Sequence, residues 1–215
     1  LSLAAIKDAP KFWADYVKKL IQENPDKAVG GIFWMMYKNI VERGAEFYMP
    51  VWERSQHAHG YISGQVDPRD CYNADRMLPQ ALELAALKPN VMIKVPGTRE
   101  GYEVIEKLTA KGIATNNTLA FTVPQFVACM EAVKRGLAKA KKDGVDLFRW
   151  RSVITHMSAR YGTLGDLKDQ AISRGIDLSE ADIRWAELAI FKRAYRIVQE
   201  KGYPSKMLIC SMRIS

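Results

Sequence analysis

Along residues 10 to 22 apolar side chains recur at helical spacing, with Phe12, Tyr16 and Leu20 on one side, Pro10 at the start and Asn24-Pro25-Asp26 at the end. The same period resumes from about Ile32 to Val51. There Phe33, Trp34, Met36, Tyr37, Ile40 and Phe47 predict a helix buried on more than one side, either in the core or against a second subunit of a homo-oligomer. Beyond a loop at His57-Ala58-His59-Gly60, Tyr61 to Val66 reads as a strand, and Asp67-Pro68-Arg69-Asp70 turns the chain out of it. A helix over Ala74 to Leu87 and a strand over Val91 to Pro96 come next. Thr98 caps a helix from Arg99 to Ala110, whose Val104, Ile105 and Leu108 form an inward stripe before Lys111-Gly112 ends it. A short strand within Ile113 to Phe121 leads to a helix from Pro124 to about Lys142, with Phe126, Met130, Val133 and Leu137 on one face. After Asp143-Gly144 the pattern predicts a strand at Ser152 to His156 and a long polar connection with Gly162, Gly165 and Gly175. Ser179-Glu180-Ala181-Asp182 has capping-box spacing and opens a helix to about Glu200 with Leu188, Phe191, Tyr195 and Val198 inward, and Lys206 to Met212 is the last strand.

Strand and helix therefore alternate about five times, which is the signature of a parallel α/β fold in a single domain. An open doubly wound sheet advertises a glycine-rich turn, and neither G-x-G-x-x-G nor G-x-x-x-x-G-K-[ST] occurs in the chain. What recurs is a polar group at the C-terminal end of each strand: Gln65, Lys94, Asn116 with Thr118, Thr155 with His156, and Ser211 with Arg213. Such residues converge on one mouth only if the strands close, so a β/α barrel is the economical reading.

Lys94 stands out because it puts a charge near the end of an apolar strand. Val91, Ile93 and Val95 point one way from that strand, and Met92 and Lys94 the other. Inside a barrel, desolvation would push the ammonium towards a neutral, nucleophilic amine. The alternative is a buried stem whose head snorkels to water. His57 and His59 have a spacing that could hold a metal, but no third ligand stands near them and a solvated loop is the better reading.

Composition narrows the classes further. At 215 residues with 48% hydrophobic content the chain can bury one sizeable core, and no apolar run reaches the length of a membrane span. A net charge of +8 suits an anionic partner. Lys139, Lys141 and Lys142 close a helix, the other basic residues are dispersed, and no basic stretch is interleaved with aromatics, so a phosphorylated metabolite fits better than nucleic acid. Cys71, Cys129 and Cys210 are odd in number and scattered, as expected of reduced thiols in a cytoplasmic protein. The chain opens on Leu1 and stops at Ser215 straight after a strand-like run, so a longer protein that has lost both ends is expected.

Several segments in order resemble the transaldolases and their smaller relatives, the fructose-6-phosphate aldolases, which are Schiff-base enzymes on a TIM (β/α)8 barrel. Ile93-Lys94-Val95-Pro96-Gly97-Thr98 followed by Glu100-Gly101 resembles the family's lysine signature. Gly112-Ile113-Ala114-Thr115-Asn116-Asn117-Thr118-Leu119-Ala120-Phe121 is similar to its G-I-x-x-N-x-T-L-x-F run, and Ser63-Gly64-Gln65-Val66-Asp67-Pro68-Arg69 to its S-x-E-V-D-x-R strand. Cys210-Ser211-Met212-Arg213 resembles the A-S-F-R strand end, and Val153 to Arg160 the segment that ends in a phosphate-gripping arginine. Leu1-Ser2-Leu3 resembles the residues just after the first-strand aspartate, so the first barrel strand and the last two are expected to lie outside this chain.

The resemblance implies a Schiff base on Lys94 and transfer of a three-carbon ketol unit between sugar phosphates, in the pentose phosphate pathway and without metal or organic cofactor. It implies that Asn116 binds hydroxyls of that unit, that Gln65 and Thr118 hold a water, and that Thr155, Arg160, Ser211 and Arg213 bind substrate, the last three at its phosphate. Thr155 and Met157 replace a typical serine and phenylalanine. Gln65 stands where the transaldolase branch carries a glutamate and the aldolase branch a glutamine. An amide does not titrate, so Gln65 can orient a water but cannot take its proton. Three readings follow: a transaldolase, a direct aldolase, and an inactive barrel that works as a binding protein.

Overall fold

The computed structural model describes residues 7–164 and 166–211. They form two compact units, one made of the described residues up to Gly64 with Glu83–Val91, the other of Gln65–Leu82 with the described residues from Met92 onward.

In the first unit, helix α1 (Pro10–Glu23) opens with a proline in its first turn, where the missing N–H costs nothing. Helix α2 (Val29–Arg54) is longer at both ends than its apolar pattern predicts and contains Pro50. Trp13 and Leu20 of α1 pack with Ile32 and Met36 of α2 in a small core. The expectation that α2 is buried on more than one side is met, since Ile32 and Met36 lie on one side of the helix and Val41, Ala45 and Trp52 nearly opposite, but the large aromatics are not what is buried. Its buried residues are Ile32, Met36, Val41, Ala45 and Trp52, whereas Phe33 is half exposed and Phe47 is 78% exposed. Phe12, which its spacing puts on one side of α1 with Tyr16 and Leu20, is exposed, with the Arg43 guanidinium over its ring. His57 lies in a turn with φ of 65° and its ring against Trp52, centroids 3.8 Å apart.

The sheet holds β1 (Ile62–Gln65), β2 (Val91–Pro96), β3 (Thr115–Thr118), β4 (Ser152–Met157) and β5 (Lys206–Cys210), in that order. The pairs β2/β3, β3/β4 and β4/β5 are parallel. Helices α3 (Ala74–Ala85), α4 (Arg99–Ala110) and α5 (Val123–Lys142) make the crossovers between the first four strands. Every strand thus sits beside its sequence neighbour, with no reversal of order. A doubly wound sheet has such a reversal, and a β/α barrel does not.

Between β4 and β5 the polar connection is more ordered than its glycines predict. It forms two short helices, α6 (Ser158–Leu164) and α7 (Leu167–Ile172), before α8 (Glu180–Lys201). Ser179 and Asp182 cap α8 reciprocally, as their spacing predicts. Its buried stripe is Ile183, Glu187, Ala194 and Val198, with Phe191 beside His156, while Tyr195 turns to solvent. The buried stripe is rotated from the expected one and includes Glu187, whose carboxylate accepts the Gly162 N–H at 3.1 Å.

On one face of the sheet, Ile93, Val95 and Ile154 are fully buried, as are Val104, Ile105 and Leu108 of α4 and Phe126, Met130 and Val133 of α5. These two helices approach very closely. A Cβ on Gly136 would stand 2.7 Å from Glu106 O and from Thr109 Cβ, so only glycine fits that crossing. The opposite face carries Lys94, Asn116, Thr118 and Thr155, whereas His156, expected with them at the strand ends, alternates with Thr155 and lies with Ile154 on the helix-covered face, beside Phe126 and Phe191. Among the described residues, no helix is long and apolar enough to cross a membrane.

Candidate active site

The ladder fixes which side chains meet. Lys94 pairs with Asn116 and Pro96 with Thr118, so Lys94, Asn116 and Thr118 share the face opposite Ile93 and Val95. Val66 N–H donates to Lys94 O at 3.2 Å, which in a parallel ladder sets Val66 beside Val95 and Gln65 beside Lys94. On the other flank Asn116 pairs with Val153, whose face also carries Thr155 and Met157. Neighbouring strands lie about 4.8 Å apart, so a small molecule can touch side chains from three of them at once.

Direct contacts follow from that register. The Thr155 hydroxyl donates to Asn116 Oδ1 at 2.8 Å, with both residues buried. Thr118 Oγ1 lies 3.7 Å from the thioether of Met157. Lys94 is half-buried, and among the described residues it makes neither an ion pair nor a side-chain hydrogen bond. The ionic bonds of this unit are elsewhere. Arg69 beside Asp67 holds that carboxyl below its usual range, and Gln80 donates to Asp70 at 2.8 Å in the turn that leaves β1. Burial pushes the thiol of Cys129, on the buried side of α5, up, which leaves it inert.

The remaining predicted residues lie near the join of β4, α6 and β5. Arg160 is in the first turn of α6 with an exposed side chain. The preceding Ala159 N–H donates to Ser211 O at 3.2 Å, and the Ser158 hydroxyl donates to Cys210 O at 3.3 Å, so this turn is fastened to the end of β5. Ser211 has φ of 55°. Arg213 lies outside the described residues. The structure therefore gathers Gln65, Lys94, Asn116, Thr118 and Thr155 on one sheet face and brings the backbone beside Arg160 to Ser211. Two neighbours were not read from the sequence as parts of a site. Met157 follows from strand alternation, whereas Gln125, three residues after Thr122 in a capping box, reaches beyond its own helix to Gly97 O.

The profile of the family described as Transaldolase/Fructose-6-phosphate aldolase matches residues 3–213 of the chain. The chain belongs to this family. All eight residues singled out from the sequence fall inside the match, and the unreversed parallel order of the strands fits part of the TIM barrel expected for transaldolase relatives. The transaldolase of Thiobacillus denitrificans is 35% identical over 154 residues, covering 69% of this chain and 43% of that protein. Transaldolase 2 of Streptomyces coelicolor is 32% identical over 186 residues, 83% of this chain and 50% of that protein. The transaldolase of Mycolicibacterium paratuberculosis is 36% identical over 156 residues, 70% of this chain and 41% of that protein. This member of the family thus spans between 41% and 50% of the length of these curated relatives.

Proposed function

We infer that the protein is a transaldolase-type enzyme in which Lys94 forms a Schiff base with a ketose phosphate and passes on a three-carbon unit. The observation that carries the reading is a half-buried lysine, without an ion pair among the described residues, held in register with Asn116 on the sheet face that also carries Thr118 and Thr155. The side-chain amine of Lys94 is the nucleophile that Schiff-base chemistry needs, and no carboxylate among the described residues is paired with it. The amine attacks the ketone carbon and water leaves, giving a protonated imine. The bond between the third and fourth carbons then breaks, its electron pair moves towards the imine nitrogen, and the aldehyde departs after the hydroxyl proton is taken up. The enamine left on Lys94 attacks a second aldehyde, and hydrolysis frees the new ketose.

Asn116 holds hydroxyls of the bound unit through its amide. Gln65 and Thr118 hold the water that carries protons, with Gln65 orienting it rather than titrating. Thr155 lines the same face. Arg160, Ser211 and Arg213 bind the phosphate at the far end, where planar guanidinium donors make paired, charge-assisted bonds. Under this reading the protein works in the cytoplasm, in carbohydrate metabolism.

The test is borohydride reduction in the presence of fructose 6-phosphate, followed by mass analysis of the peptide that contains Lys94. A covalent adduct on Lys94, lost in Lys94→Ala, is the expected outcome. No adduct in the native protein would leave the binding-protein reading standing. The glutamine at position 65 favours a second reading, direct aldol cleavage, and acceptor dependence separates the two. Release of a free three-carbon ketone without an aldehyde acceptor marks an aldolase, and a strict need for an aldose phosphate marks a transaldolase.

A further inference from the structure

Just past Thr118 the chain takes a turn that its backbone disfavours. Leu119 has φ of 62°, a left-handed conformation that a residue with a Cβ keeps only where its surroundings impose it. Those surroundings come from the loop after Lys94. Gly97 N–H donates to Thr118 O at 2.7 Å, and a Cβ on Gly97 would stand 2.9 Å from Leu119 O. Gln125, in the first turn of α5, joins the two segments. Its Oε1 accepts the N–H groups of Phe121 at 3.0 Å and Thr122 at 3.1 Å, while its Nε2 donates to Gly97 O at 2.9 Å.

We propose that Gln125 is a positioning residue for the lysine chemistry, tying the loop three residues beyond Lys94 to the turn that follows Thr118 and so fixing the distance between nucleophile and water site. The inference rests on the reading of Lys94 as a Schiff-base lysine. Gln125 acts only through the backbone of Gly97 and of the 119–122 turn. Its amide does two separable jobs. The oxygen caps the start of α5, and the NH2 group makes the tie between loops. A carboxylate performs the first and not the second, because it offers an oxygen to the Gly97 carbonyl oxygen. Glutamate is also a favoured residue at this position of a capping box and suits the positive end of the helix, so Gln125→Glu keeps the cap and removes the tie.

The full chain and its Gln125→Glu variant are compared by the rate of borohydride-trapped adduct on Lys94 with fructose 6-phosphate, by melting temperature, and by hydrogen exchange. The variant is expected to trap roughly ten- to a hundredfold more slowly with an unchanged melting temperature, because small misplacements of reacting groups cost that much. With its carbonyl released the loop loosens, so the Gly97 N–H, which Thr118 O and not Gln125 holds, exchanges faster, while the Phe121 and Thr122 amides stay protected. With cyanoborohydride, which survives acid, the ratio of variant to native rate climbs as pH falls below about 4.3, the free carboxyl value, because a protonated carboxyl can donate again. Trapping at the native rate, or a Gly97 amide as protected as in the native chain, overturns the proposal. If the native chain forms no adduct, the Schiff-base reading fails, and the difference in Gly97 exchange between variant and native chain still decides whether Gln125 holds the two loops together.

Discussion

At the level of single residues, the hydrogen bond from Thr155 to Asn116 does most to set the chemistry of the polar face. By donating to Oδ1 it fixes which end of the Asn116 amide lies towards β4, and under the proposed function the NH2 end would be the one to meet a substrate. Thr155→Val removes that donor, and leaving a buried acceptor short of a partner costs about 1–3 kcal/mol. Denaturant unfolding is expected to show a loss of that size, and adduct formation on Lys94 is expected to slow. Thr155→Ser, which keeps the hydroxyl, is expected to restore both. The oddity of Lys94 was legible in the sequence, since one charge in an apolar strand needs no structure to be noticed. The partner of Thr155 was not. A hydrogen bond between residues 116 and 155 depends on strand register, and residue order alone does not state it.

Among elements, two contacts make the helices around the sheet sensitive to single changes. Gly136→Ala would drive a methyl group into Glu106 O and Thr109, and overpacking of this kind costs typically 1–3 kcal/mol, so a lower melting temperature is expected. Tyr203, just before β5, donates its hydroxyl to Glu131 of α5. That bond, with burial, pushes the Tyr203 phenol up to about 12. A group whose pKa is raised on folding stabilises fully below its unfolded value, about 10 for a phenol, and that stability is lost as pH rises through the folded value. Tyr203→Phe should therefore lower the denaturation midpoint at pH 8, and the gap should narrow between about pH 10 and 12. Periodicity read α4 and α5 well because both lie on a sheet and show it one stripe. It misread Phe47 on α2 and Tyr195 on α8 for a common reason. A run of large apolar residues shows how much could be buried, but not which side of the helix meets a neighbour.

For the whole molecule, the alternation of strand and helix was enough to predict a parallel sheet, since each helix is local to its two strands. The same layout has a meaning in time. Helices close over three or four residues, whereas Lys94 meets Asn116 across 22 positions and Asn116 meets Thr155 across 39. Loop-closure entropy has to be met before such distant pairs reward it, so they form late. On refolding from denaturant, the helical far-ultraviolet signal is expected to return first and trapping on Lys94 afterwards, and simultaneous recovery would contradict this order. A chain newly made in the cell would then pass through a helical stage in which Lys94 is an ordinary surface amine, and it would acquire its reactive neighbours only when the last of the three strands zips into place.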